Sequence, residues 1–162
     1  MNSGSITFAE CAIVRRDLVF ISAQVTELNA QGIDHTKVIR WKNGALAHFM
    51  IDWATTSLSA QASPLTLLSM GLEGDIHVFQ GANRGQEHIA GPDRIGPLRD
   101  MRTIAGTHYA AGMQRQVCKR RGHNDWVSIA DTVRNRAGIN RHLALTADGK
   151  VWTALDYDDA SH

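Results

Sequence analysis

Four times along the chain a turn is followed by the same kind of short strand: Lys37-Val-Ile, Asp75-Ile-His, Gln116-Val-Cys and Lys150-Val-Trp. The spacing is roughly 40 residues, and a second short apolar strand precedes each of the last three: Leu65 to Met70, His108 to Met113 and His142 to Thr146. A period near 40 with several strands per unit leaves little room for a helical bundle or a parallel α/β sheet. It is the pattern of propeller blades, each a four-stranded antiparallel meander.

The local chemistry agrees. Asp17 to Ala23, Thr36 to Trp41, Asp75 to Gln80 and Gln116 to Arg120 are short, rich in β-branched or aromatic residues and in part alternating. Turn residues separate them: Lys42-Asn-Gly44, Leu72-Glu-Gly-Asp75, Gly122-His-Asn-Asp125 and Ala147-Asp-Gly-Lys150. Asn-Gly and Asp-Gly supply the positive φ angles of tight hairpins. Pro64, Pro92 and Pro97 fall between strands, where a missing N–H breaks no ladder. Helix signals are weak. Leu58 to Met70 is the best stretch, but Pro64 interrupts it, and Arg134 to Arg141 could make only a turn or two before Gly138. The expected class is therefore all-β: a propeller-like array of about four antiparallel four-stranded blades in one domain. The repeats fall at 15–54, 55–92, 98–133 and 139–158, with 1–14 as a closing strand expected to pair near Lys150 to Leu155. Such an array closes alone, forms part of a larger ring, or closes by dimerisation, because an unpaired edge invites association.

Leu67 to Gln86 carries a small-residue turn, a Val/Phe strand and Gly81-Ala-Asn-Arg-Gly-Gln86, and His142 to Trp152 carries an apolar strand, Asp-Gly and Val-Trp. These segments resemble repeats of the regulator-of-chromosome-condensation type. The chain is also similar to uncharacterised bacterial propellers that place a Gly-Pro-Leu-Arg segment, here Gly96 to Arg99, before a Tyr-Ala-x-Gly-Met strand, here Tyr109 to Met113. The likeness implies a propeller over residues 65 to 155. It implies no chromatin or exchange-factor activity, since the later Gly-rich half of the family's repeats is missing.

Function has to be read from particular side chains, because a propeller specifies no chemistry by itself. Seventeen basic against sixteen acidic residues give no electrostatic reason to expect nucleic acid or an anionic membrane as partner. No apolar run approaches a membrane helix, and the N-terminus lacks a signal-peptide pattern, so a cytoplasmic protein is expected. Cys11 and Cys118 read as small buried hydrophobes. Neither stands in a nucleophile setting, and there is no Gly-x-Ser-x-Gly. Among eight histidines, His108, His123 and His142 invite a metal reading, but no short-range His pair exists and repetition explains two of them. Neither a metal, a cofactor nor a catalytic residue is expected. Trp126 and Trp152 sit at repeat-related positions and are assigned to packing. The basic cluster ending at Arg121 yields the one candidate surface: Lys119, Arg120, Arg121, His123 and Asp125 as a polar rim touching another protein, an acidic one. The expected function is a non-catalytic protein-binding or scaffolding module. The alternatives are a lectin-like sugar binder and a metal-dependent enzyme using histidines at the channel mouth.

Overall fold

The computed structural model describes residues 5–26, 35–89, 96–114, 116–129, 139–145 and 151–156, the last two segments as backbone. Among these residues every regular element is a strand, and no helix is long and apolar enough to cross a membrane. The first sheet is β1 (Ser5–Arg15), β2 (Leu18–Thr26), β3 (His35–Lys42) and β4 (Ala45–Ile51). The second is β5 (Thr55–Ala62), β6 (Leu65–Gly71), β7 (Asp75–Gln80) and β8 (Asn83–His88). The third is β9 (Leu98–Ile104), β10 (Thr107–Gly112), β11 (Val117–Gly122) and β12 (Asp125–Ser128), and β13 (Ile139–Leu145) pairs with β14 (Val151–Asp156). Spatial order follows chain order in each four-stranded sheet, so each is an antiparallel meander.

The turns have the causes that the sequence suggests. Asn43 and Gly44 adopt φ of 49° and 81° between β3 and β4, the double positive φ of a two-residue hairpin. Gly74 and Asn124, within two of the expected turns, carry positive φ of 84° and 53°, and Gln114 does so at 53° between β10 and β11. Two local expectations shift. Leu58 to Met70 is the hairpin β5–β6 turning at Ser63-Pro64, with Leu58, Leu67 and Leu68 buried. The N-terminal segment, expected to close onto the last repeat, is the first strand of the first sheet. Its described hydrogen-bonded neighbour is β2, while β14 pairs with β13. Residues 131–138, where the second weak helix signal begins, lie outside the described set.

Two compact units emerge, one of Met1–Gly71 with His77–Gly85 and one of Leu72–Ile76 with Gln86–His162. In the first unit Ala12, Leu18, Phe20, Val38, Ile51, Leu58 and Leu67 form the core, flanked by Phe49, Trp53 and Phe79. β1 lies beside β5, and Thr36 ties the two sheets: its Oγ1 donates to the Trp53 carbonyl at 2.9 Å and accepts from the Thr55 N–H at 2.8 Å. A bulge between Phe8 and Glu10 shifts the alternation of β1 by one residue. Ile6, Phe8 and Ile13 consequently stay exposed, and so does Cys11, against the expectation of a buried thiol. Cys118 is fully buried.

In the second unit the two segments that carry the bacterial-propeller likeness touch each other. The Met113 N–H donates to the Pro97 carbonyl at 3.0 Å, and Gln116 Nε2 donates to the Gly96 carbonyl at 2.7 Å. Gly112 packs so closely here that a Cβ would collide with the Pro97 carbonyl oxygen and come within 2.7 Å of the Leu98 Cα. Both obstacles are backbone and cannot rotate away. Gly112→Ala is therefore expected to cost about 1–3 kcal/mol, read as a lowered midpoint in denaturant, whereas unchanged stability would mean that the β9–β10 contact is loose.

Candidate functional site

The third sheet brings Thr103, His108, Arg120 and Trp126 into one cross-strand row. Thr103 pairs with His108 and Arg120 with Trp126, and the Tyr109–Lys119 pair puts His108 opposite Arg120 one step along. Onto this row β8 places Glu87, whose side chain is 0% exposed. Arg120 grips it with both arms, Nη2 to Oε1 at 2.6 Å and Nε to Oε2 at 2.9 Å. Trp126 Nε1 donates to Oε2 at 3.0 Å, and His123 Nδ1 lies 3.1 Å from Oε1. Each carboxylate oxygen thus has two partners, and planar bidentate pairing of this kind is the strong form of an ion pair. Burial alone would raise the Glu87 pKa, but the hydrogen bonds from Arg120 and Trp126, the Arg120 charge and His123 outweigh it and hold the carboxyl below its ordinary value.

His108 sits deeper in the same row, 3% exposed, with Nδ1 at 2.9 Å from the Thr103 hydroxyl. Its pKa is pushed down to about 4, chiefly by burial and then by the Arg120 charge, with Glu87 opposing. The imidazole is neutral at physiological pH.

The five residues expected to form a rim divide by strand alternation. Arg120, only 21% exposed, turns inward to Glu87. His123 leans on the same carboxylate from a 68% exposed position in the β11–β12 turn. Arg121 and Asp125 pair with each other at 2.8 Å on the exposed side, an arrangement worth little to stability. Lys119 lies on the face opposite Arg120, beside Tyr109 and Val127. Trp126 is buried as its packing assignment requires, and its indole N–H is also part of the polar cluster. Glu87 has no signature in the sequence: Asn83 to His88 is polar throughout, so nothing in that stretch marks the side chain that turns inward.

A carboxylate saturated by an arginine, an indole and an imidazole is an electrostatic anchor between strands; its lone pairs are occupied, which suits it poorly to accept a proton at neutral pH. Among the described residues no three His, Cys, Asp or Glu side chains gather as a metal would need. The side chain of His142 lies outside the described set.

No protein-family model matches the chain, and no solved structure does. Among curated proteins it is similar to the Immune protein Tsi7 of Pseudomonas aeruginosa (strain PAO1), with 29% identity over 144 residues. That alignment covers 83% of this chain and 47% of the relative, so the chain spans about half the length of the protein it matches.

Proposed function

We propose that the chain is a non-catalytic protein-binding module with an immunity role, protecting the cell that makes it by binding and masking a harmful partner protein. The observation that carries this reading is the similarity to an immune protein across 83% of the chain. The saturated Glu87 cluster supports it, since the most buried charges are committed to holding strands together. In this reading Lys119, Arg121, His123 and Asp125 meet the partner in the cytoplasm, and Arg120 positions the hairpin that carries them. The meanders are its propeller blades. Their consecutive strand order and the adjacency of first strands, β1 with β5 and β9 with β13, support that arrangement. An experimental structure with the meanders stacked as a flat sandwich would displace it.

The immunity role is tested in mixed culture. Cells from which the chain is deleted are expected to fail, alone or beside their parent, and to recover when the chain is supplied from a plasmid. Equal fitness of deleted and parent cells in the mixture would sink the immunity reading.

A further inference from the structure

The first unit contains a pocket of about 270 Å³ that the Glu87 cluster does not touch. Phe20, Arg40 and Ala47 form one cross-strand row of the first sheet and supply one wall. Phe79 and Arg84, from β7 and β8, supply the other. Where the two walls meet, Phe49 and Phe79 are in contact, 4.2 Å apart centroid to centroid and tilted by 43°. Outside the lining, the His77 ring lies 5.7 Å from Phe79 and stacks on Trp53 at 4.2 Å. The Arg84 guanidinium sits 5.7 Å from the Phe49 centroid and 5.9 Å from that of Phe79.

Three properties define what fits. The volume is below the usual range for small-molecule sites, about 300–1,000 Å³, and suits a single large side chain. Phe20, Phe49 and Phe79 in the lining favour another ring in offset or edge contact. The rim holds two exposed arginines, and among the described residues no carboxylate pairs with Arg40 or Arg84.

We propose that this pocket seats one aromatic side chain of the partner protein, with carboxylates flanking that residue in the partner's sequence held by Arg40 and Arg84. The proposal rests on the protein-binding reading above and names its anchor. A buried aromatic in a pocket, ringed by charge pairs, is the usual form of an interface hot spot. The acidic character expected of the partner is met here by Arg40 and Arg84, which have no carboxylate partner among the described residues, whereas Arg120 and Arg121 are paired with Glu87 and Asp125.

The test is a titration of isotope-labelled protein with the pentapeptide acetyl-Asp-Glu-Phe-Glu-Asp-amide, followed by NMR. Saturable shifts are expected at the Arg40 and Arg84 side-chain N–H groups and the Phe49 and Phe79 rings, with a dissociation constant below about 1 mM. Replacing the peptide's Phe by Ala, or testing the R40A/R84A double variant, is expected to weaken binding at least tenfold; both arginines are exposed, so the fold survives their loss. No saturable binding, equal binding of the Ala peptide, or phenylacetate binding as tightly as the peptide would each overturn the proposal, the last by making this a small-molecule pocket. Peptide binding with a neutral deletion phenotype would keep the pocket and remove the immunity role; a deletion phenotype without peptide binding would do the reverse.

Discussion

Replacing Glu87 by alanine is expected to lower the stability of the chain by about 3–5 kcal/mol, because breaking a buried ion pair strands the remaining charge. Arg120 would keep its guanidinium only 21% exposed with no carboxylate to answer it, and the Trp126 N–H would lose its acceptor. For a chain of this size the loss corresponds to a melting point lower by roughly 10 °C, and Trp126 fluorescence should follow the same transition. Converting the pair to apolar residues of similar volume, Glu87→Leu with Arg120→Met, is expected to recover most of the deficit, since desolvating both charges is itself costly. A Glu87→Ala variant within 1 kcal/mol of the parent would show that the carboxylate is hydrated and that the cluster anchors nothing.

Acid should weaken the same region in two separable steps. His108 has a folded pKa of about 4 against an ordinary 6.5, so between these values the unfolded chain binds more protons than the folded one. Stability is then complete above pH 6.5 and falls as the pH drops toward 4, by about 3 kcal/mol in total. Glu87 has the opposite charge type but the same sign of slope. Its contribution is present above the unfolded carboxyl pKa of 4.5 and is lost at lower pH, as the pH passes through its depressed folded value. Denaturant melts at pH 7, 5.5 and 4 should show the first step. His108→Gln, which leaves a polar partner for the Thr103 hydroxyl, is expected to reduce the slope over that interval to the part that His77, also held below its ordinary value by burial, contributes, while the step below 4.5 persists. If the variant and the parent lose stability in parallel from pH 7 to 4, His108 is not the group responsible.

The strands and turns were legible because their causes are local. Asn43-Gly44, Gly74 and Asn124 sit where positive φ is needed, and the β-branched runs around Val38, Ile76 and Val117 became strands. What could not be read was set by contacts distant in sequence. Ser5–Arg15 repeats nothing else in the chain, so its membership of the first sheet appears only through its register with β2. In sequence Arg120 reads as a surface charge, yet alternation along β11 turns it inward to a carboxylate 33 residues earlier. The pocket has no sequence signature, since Arg40, Phe49, Phe79 and Arg84 converge only when the β3–β4 hairpin and the β7–β8 hairpin face each other.

The bulge in β1 and the burial of β11 leave the two thiols of the chain in opposite surroundings, Cys11 open to solvent in one unit and Cys118 enclosed in the other. A thiol reagent reaches Cys11 in the native state and Cys118 only when the third sheet opens, so the lag between the two modifications times that opening without any added label. Because Leu72–Ile76 belongs to the unit of Cys118 although its neighbours in the chain belong to the other, modification of Cys118 reports the opening of a unit built from two separate stretches of sequence.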